Sequence, residues 1–366
     1  MIDWDMAIST GTRWVRPGPP VGLSEARAVV TELRELAAVV AEPVQRVTGL
    51  SGAQDAGQVA VVDRPGWIRA NVDGFRVVLE PLAEHLREKG RVPDPGSVIT
   101  TVGSKVTGVQ AGLILAYLAS RVLGQYELFL PPDPAAPQQA APAGRLTLVA
   151  PNIVMVEREL GVDPHDFRRW VCLHEETHRV QFTAVDWLRP YVQEQMTEFL
   201  LASDLDPAMI LGRLRSAADA VADAVRGSDG SDSLIEAIQT PKQRAILDRL
   251  TCVMTLVEGH GDYVMDAVGE QVVPSVAKIR SRFNDRRSSA GRIEQTIRRI
   301  LGIDLKMKQY AQGSRFVSTV VAEAGMATFN RVWTSPETLP TRDELASPAR
   351  WLERVGGNGG ALAAGG

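Results

Sequence analysis

The stretch WVCLHEETHRVQF, residues 170–182, decides how the rest of this 366-residue sequence is interpreted. Its histidines His174 and His178 are four residues apart, and the upstream dipeptide Asp163-Pro164 predicts the beginning of a helix that contains both. Residues four apart lie one turn apart on the same helix face, so the two imidazoles project together. Two imidazole nitrogens in that geometry can bind one Zn²⁺, and we therefore predict a zinc site on this helix.

Glu175 follows the first histidine and completes an HExxH pattern. It lies beside the two predicted ligands without being a ligand itself. In this arrangement zinc lowers the pKa of water towards 7 and the glutamate accepts its proton as a general base. The pattern therefore predicts Zn²⁺ as the cofactor and Glu175 as a catalytic residue.

A catalytic zinc needs a third protein ligand and an open fourth position. A metzincin continuation is excluded, because Gln181 and Ala184 stand where it needs a glycine and a histidine. Two acidic residues are left, Glu198 and Glu258, and the sequence favours Glu258 in the segment EGHGD. Asp262 lies one turn after Glu258, where its carboxylate can accept the N–H of a ligating histidine.

His260 is an alternative third ligand, although it lies about 200° around an ideal helix from Glu258. Its other interpretations are a catalytic contact with the substrate and simple packing, and the sequence does not separate them. The glycines on either side of it, Gly259 and Gly261, are poor helix formers. Their presence predicts that something approaches the helix backbone closely there.

Other reactive side chains are weaker candidates. Tyr191 and Tyr263 are candidate oxyanion donors, whereas His85 and His165 are expected on the surface. The only two cysteines, Cys172 and Cys252, cannot form a disulfide framework and are predicted to be small packing residues.

Composition excludes several classes of protein. With 45% hydrophobic and 23% charged residues and a net charge of −4, the chain is an ordinary globular sequence without a global attraction to nucleic acid. The start MIDWDMAIST lacks a secretory signal pattern. The most apolar stretch, Val98 to Leu123, is interrupted by charged residues, so we predict a buried helix, no membrane partner and a cytoplasmic location.

Helical periodicity dominates the rest of the chain. It predicts helices from Ser24 to about Glu42 (ended by Pro43), from Gly74 to Lys89, and from Thr240-Pro241 to near Gly269. Two short strands, in YELFL from Tyr126 and in RLTLVAP from Arg145, are separated by a loop from Pro131 to Gly144. A second loop is expected from Gly227 to Ser233.

We predict three regions in one compact unit: an N-terminal helical region 1–125, a metal-site region 126–270 and a C-terminal helical region 271–355. A disordered tail, 356–366, follows them.

The segment from Lys278 to Lys308 is basic, with ten Lys or Arg against three acidic residues. The preferred interpretation is a solvated helix face paired with acidic groups, and we predict no nucleic-acid partner. A nucleic-acid surface is the alternative, but Phe283 is the only aromatic residue that lies close to the basic ones. A third interpretation is that one of these arginines contacts a substrate carboxylate.

These motifs together resemble the zincin-like metallopeptidases of type 2, a family often labelled as associated with deazaflavin-coenzyme biosynthesis. The resemblance rests on DWDMAISTGTRWVRPGP, VDRPGWIRAN, SRVLGQYELF, the long segment LVAPNIVMVERELGVDPHDFRRWVCLHEETHRVQFTAV, EGHGDYVMDAVG, VVPSVAKIRSRF and VWTSPETLP. It extends over nearly the whole chain and is much more specific than HExxH alone.

The resemblance implies a mainly α fold with a small β-sheet (α+β), built on a minimal gluzincin-like zincin core around the HExxH helix and elaborated by additional helices. It implies metal ligation by His174 and His178, with a third ligand from EGHGD. The function we predict is that of a zinc-dependent hydrolase, a metallopeptidase that uses metal-activated water with Glu175 as general base and acts on a peptide or small amide. The alternative is a non-catalytic metal-binding or scaffold protein with a structural or vestigial site. The oligomeric state is not predicted.

Overall fold

The fold was analysed in a computed structural model that describes residues 2–52, 59–89, 98–132, 144–202, 241–288 and 303–356. Side chains are described in these ranges except at 98–103, 287–288 and 303–311. The predicted loop Gly227–Ser233 lies outside these ranges, as do the tail beyond Gly356 and most of the loop Pro131–Gly144.

Helices account for most of the described chain. The first eight are α1 (Trp4–Trp14), α2 (Leu23–Val39), α3 (Ala41–Thr48), α4 (Arg64–Glu88), α5 (Val98–Ala119), α6 (Ala150–Leu160), α7 (Pro164–Ala184) and α8 (Leu188–Leu201). The later ones are α9 (Pro241–Val268), α10 (Val276–Ser288), α11 (Ile303–Phe329), α12 (Arg342–Ala346) and α13 (Pro348–Trp351). Short 3-10 turns at Asn330–Trp333 and Pro336–Thr338 and a π turn at Leu352–Gly356 complete the C-terminal part.

Three short strands form one sheet in the order β1-β3-β2, where β1 is Ala60–Val62, β2 is Gly124–Glu127 and β3 is Arg145–Val149. The central strand β3 pairs in parallel with β1 and antiparallel with β2. In β3, Leu146 and Leu148 are fully or almost fully buried, because α7 packs on this sheet. The prediction of a mainly α fold with a small β-sheet is confirmed.

Two predicted helix boundaries are wrong, and both errors involve proline. Pro43 does not end a helix, because α2 already ends at Val39 and Pro43 lies in the first turn of α3. Backbone N–H groups in the first turn have no acceptor within the helix, so a proline there costs no helical hydrogen bond. At its other end, the helix predicted from Ser24 begins at Leu23, after the N-cap residue Gly22. The helix predicted from Gly74 begins at Arg64 instead.

The early start of α4 follows from its cap. Asp63 accepts a hydrogen bond from the backbone N–H of Gly66 at 2.7 Å, and Pro65 stands in the first turn. The same signal was recognised at Asp163-Pro164, where α7 begins as predicted. Pro81, inside α4, does not end this helix either.

The described residues divide into two compact units. Unit 1 combines residues 1–189 with 261–288, and unit 2 combines 190–260 with 289–366. Unit 1 contains the sheet, α7 and a large apolar core that includes Leu33, Ile153 and Phe167. In unit 2, Phe316 packs edge to face on Trp351 with ring centroids 5.6 Å apart.

The boundary at residue 260 falls within the continuous helix α9. The three predicted regions 1–125, 126–270 and 271–355 stay a prediction. In the described part of the chain, no helix combines the length and apolar character that crossing a bilayer requires.

Candidate metal centre

Helix α7 holds the HExxH residues in a buried position. Its N-cap Asp163 accepts a hydrogen bond from the backbone N–H of Asp166 at 2.9 Å. On the same helix Cys172 and Leu173 are fully buried, and Glu175 and His178 are only 5% and 8% exposed. The motif is therefore embedded in unit 1 rather than displayed on a solvated helix surface.

The two histidines meet as their spacing predicts. Nε2 of His174 lies 3.3 Å from Nε2 of His178, and the rings are nearly perpendicular at 81°. Two nitrogens bound at 2.0–2.1 Å to one tetrahedral zinc lie about 3.3 Å apart. The separation of the two Nε2 atoms therefore fits a shared zinc ion.

Gln181 orients the second of these histidines. Its side-chain Oε1 lies 2.9 Å from Nδ1 of His178, and Gln181 is fully buried. An amide oxygen only accepts, so the contact places the imidazole proton on Nδ1 and leaves the Nε2 lone pair for a metal. In the sequence, Gln181 stands out only because it occupies the place of the metzincin glycine. Its position three residues after His178 is the signal that could have identified this contact.

The structure brings Glu258 to the two histidines. Among the described residues, one group of three His, Cys, Asp or Glu side chains is placed to hold a metal: His174, His178 and Glu258. One ligand atom from each lies within 4.8 Å of the others. Two imidazole nitrogens and one carboxylate form a donor set that suits zinc and leaves a fourth position open.

The two glycines of EGHGD are approached by different neighbours. A Cβ added to Gly261 would lie 3.4 Å from Cε1 of His174 and 3.5 Å from Cε1 of His178, so the α9 backbone touches both imidazoles. A Cβ on Gly259 would lie only 2.2 Å from the carbonyl carbon of Gly313 in α11. The predicted close approach to the backbone is present at both positions.

Glu198, the alternative acidic ligand, is engaged elsewhere. Its carboxylate lies 3.1 Å from Nζ of Lys242 and 3.4 Å from a guanidinium nitrogen of Arg249, both on α9. It does not belong to the group of three ligand residues in the described chain. These ion pairs account for its charge without a metal.

His260 lies inside an aromatic cluster of unit 2. It is fully buried, with its ring centroid 5.1 Å from that of Phe329 and 5.6 Å from that of Trp333. This environment is the one expected for a packing histidine. A catalytic contact between His260 and substrate stays a prediction.

Asp262 contacts Arg280, which belongs to the basic segment Lys278–Lys308. Its carboxylate lies 3.8 Å from Nη1 of Arg280, and its backbone carbonyl accepts a hydrogen bond from Nη2 of the same residue at 2.6 Å. Arg280 also pairs with Asp266 at 2.5 Å. The hydrogen bond from a ligating histidine to Asp262 stays a prediction.

Glu175 lies against the edge strand of the sheet. The atom positions around Gly124 of β2 show that a Cβ added there would be 2.7 Å from Cγ of Glu175 and 2.9 Å from its Oε1. The predicted general base is therefore in direct contact with the strand backbone. Nothing in the sequence pattern GQYE indicated this contact.

The two cysteines occupy structural positions, whereas an oxyanion role for Tyr191 or Tyr263 stays a prediction. Both cysteines are buried free thiols, and burial raises the pKa of each, that of Cys252 to about 11. A raised pKa keeps a thiol protonated and unsuited to metal binding, in agreement with a packing role. Burial also raises the pKa of Tyr191, and Tyr263 packs against the core of unit 1.

The two other histidines differ in exposure. His165 is exposed and its Nδ1 lies 2.7 Å from Glu32, whereas His85 on α4 is half-buried. In the basic run, Arg286 lies 2.8 Å from Glu159, and Arg280 is paired as described above. Pairing with acidic groups is what the interpretation of this segment as a solvated helix face predicts. Residues 289–302 of the basic segment lie outside the described ranges.

Comparison with known proteins agrees with this site. A family model described as zincin-like metallopeptidase matches residues 2–352. A crystal structure from Chloroflexus aurantiacus, described as a candidate hydrolase with a novel fold, is similar to the whole chain: 30% sequence identity, 100% coverage of both chains and a TM-score of 0.68. A search of curated proteins found no match. With a family match over almost its full length, and with Glu258 of α9 beside the two histidines of the HExxH helix in a group that could hold a metal, the chain belongs to the zincin-like metallopeptidase family.

Proposed function

We propose that this protein is a zinc-dependent peptidase that hydrolyses a peptide or a small amide. The observation that carries the proposal is the combination of three ligand side chains within 4.8 Å and a buried glutamate, Glu175, next to one of them. The family supports a metal-dependent hydrolase, and the general base supports catalysis rather than storage of a metal.

Three residues would hold the metal: His174, His178 and Glu258. Gln181, whose Oε1 lies 2.9 Å from Nδ1 of His178, would hold that histidine in the tautomer that offers Nε2. When bound, zinc would polarise the scissile carbonyl and lower the pKa of water at its open position. Glu175 would accept the proton of the attacking water and then deliver it to the leaving amine, which is the role of a general base followed by a general acid.

The edge strand β2 supports a peptide as the substrate class. Within the described chain β2 pairs on one side with β3, so its other side offers backbone N–H and C=O groups. An extended peptide can pair with such an edge through main-chain hydrogen bonds. Because Gly124 of this strand touches Glu175, a peptide bound along β2 would pass beside the general base.

The alternative, a scaffold with a structural zinc, belongs to a different class of function. A structural zinc is enclosed by four protein ligands, whereas the described residues bring three together. A structural site also has no use for the glutamate of HExxH. We therefore favour the peptidase.

Two substitutions test the proposal by separating metal binding from chemistry. We expect Glu258→Ala to lose zinc, measured by plasma mass spectrometry of the purified protein. Glu175→Ala should keep one equivalent of zinc and hydrolyse a quenched-fluorescence peptide library about 10²–10⁴-fold more slowly. Glu194→Ala, which changes an exposed glutamate on α8, is the matched control for both measurements.

Each outcome has a separate meaning. A wild-type protein that holds less than about half an equivalent of zinc, with no further loss in His174→Ala, would overturn the metal site itself. Full zinc in Glu258→Ala would direct attention to His260 or Glu198 as the third ligand. Full zinc with no hydrolysis of peptides or small amides by the wild type would favour the scaffold.

A further inference from the structure

Gly124 has an unusually close neighbour in the predicted general base. A Cβ built on its backbone would lie 2.7 Å from Cγ, 2.9 Å from Cδ and 2.9 Å from Oε1 of Glu175, and these three are the nearest atoms to it. Real Cβ atoms essentially never approach another heavy atom so closely. Any side chain at position 124 therefore requires a movement of either the strand, the helix or the glutamate.

The strand cannot easily move. Gly124 pairs with Leu148 in the antiparallel register, and the backbone N–H of Val149 donates to the carbonyl of Leu123 at 2.8 Å. Two residues along β2, Tyr126 stacks on Phe182 of α7 with ring centroids 6.2 Å apart. A shift of β2 would break both the pairing and this stack.

The helix is equally constrained. The residues of α7 before and after Glu175 include Leu173 and Thr177, both fully buried, and the Thr177 hydroxyl donates to the Leu173 carbonyl at 2.9 Å. The glutamate side chain, by contrast, ends in rotatable bonds. Its carboxylate is the part that would be displaced by a Cβ at position 124.

We propose that Gly124 is a positioning residue. Because it has no side chain, the backbone of β2 at this position forms a seat, and this seat holds the carboxylate of Glu175 beside the metal ligands. This inference rests on the proposed function, since it assigns the seat to the general base of that reaction. A displacement of a catalytic group by about 1 Å can reduce a rate by about 10²-fold.

A thermal unfolding cycle tests the seat without any substrate. On the full-length protein, Gly124→Ala should lower Tm by about 2–6 °C when Glu175 is present. In a Glu175→Ala background, where Cγ, Cδ and Oε1 are gone, the same change should lower Tm by less than about 1 °C. Gly356→Ala is the matched glycine control, because its Cβ would meet no atom closer than 3.7 Å.

The kinetic part of the test uses the zinc-loaded protein and a quenched-fluorescence peptide library. We expect Gly124→Ala to retain one equivalent of zinc and to lower kcat by about 10²-fold with KM unchanged. A purely structural role for Gly124 would give the same Tm loss with and without Glu175, and that result overturns the proposal. So would an unchanged Tm and kcat in the single variant.

Failure of the proposed function is distinguishable from failure of this inference. If the wild type cleaves no peptide, the peptidase proposal fails while the unfolding cycle still decides whether Gly124 seats Glu175. If Gly124→Ala does not fold, recovery of soluble protein in the double variant with Glu175→Ala supports the seat. Absence of that recovery contradicts it.

Discussion

The two helices that carry the three candidate ligands are built differently. Helix α7 contains no glycine between Pro164 and Ala184 and begins at the N-cap Asp163. Its helical repeat alone places both histidines on one face, because they are four residues apart. Helix α9 carries Gly259 and Gly261 next to its single ligand, Glu258. On α7 the ligand geometry is set locally, whereas on α9 it depends on what approaches the backbone.

The first prediction sharpens this comparison within α9. Gly259→Ala should lower the free energy of unfolding by about 3 kcal/mol or more, because the new Cβ would lie 2.2 Å from the backbone of Gly313. Gly261→Ala should be tolerated, since its Cβ would lie at 3.4 Å from the nearest imidazole atom and alanine favours the helix by about 1 kcal/mol. Urea denaturation of the two variants measures both.

The pair of variants serves as its own control, because the two changes are chemically identical and two residues apart. Equal losses of stability would show that glycine is needed at both positions for one common reason. That result would contradict the separate roles assigned to Gly259 and Gly261.

The second prediction concerns α7. Gln181→Met keeps the side-chain volume but removes the acceptor that orients His178, and should weaken zinc binding by about 10–100-fold. Gln181→Glu keeps an acceptor oxygen and should bind zinc at least as tightly as the wild type. Competition with a chromophoric chelator measures these affinities.

Nitrogen NMR of the metal-free variants tests the cause of the effect. The His178 proton should move away from Nδ1 in Gln181→Met and stay on it in Gln181→Glu. Unchanged zinc affinity in Gln181→Met would mean that α7 alone orients this histidine, which would strengthen the contrast with α9 at the expense of the Gln181 contact.

The third and smallest prediction concerns the end of α9. Arg280→Met removes the hydrogen bond to the Asp262 carbonyl and the pairing with Asp266, and should lower the free energy of unfolding by about 1 kcal/mol. The control is Arg282→Met, which changes an exposed arginine on α10, the helix that also carries Arg280. If both variants unfold at the same urea concentration, Arg280 does not help to hold α9.

The contrast between the helices also explains what could be predicted from the sequence. The His174 and His178 pair, the Asp163 cap and the mainly α class follow from local spacing and periodicity, which the residues display directly. The sequence leaves three alternatives for the third ligand, because the choice among Glu258, His260 and Glu198 depends on which part of a distant helix reaches the histidines. The start of α4 differs from the prediction for a local reason, since the cap formed by Asp63 lies ten residues upstream of the predicted start at Gly74.

Contacts made through glycine were the least predictable. A missing side chain leaves no periodic or chemical signal, so the approach of Gly124 to Glu175 is visible only in three dimensions. The glycines of EGHGD were an exception, since two of them within a strong helical pattern indicated a close approach of some kind. Even there, the sequence did not identify Gly313 as the neighbour of Gly259.

The discontinuity of unit 1 has a consequence for how the chain is made. Trp170 of α7 packs on Phe283 with ring centroids 5.2 Å apart, and residues 261–288 supply further core partners such as Val264 and Ile279. At about 5–20 residues per second, Phe283 leaves the ribosome's active site about 6–23 s after Trp170. During that interval the nascent chain lacks the part of this core that residues 261–288 supply, and a fragment ending at Arg189 would leave Trp170 without Phe283 permanently.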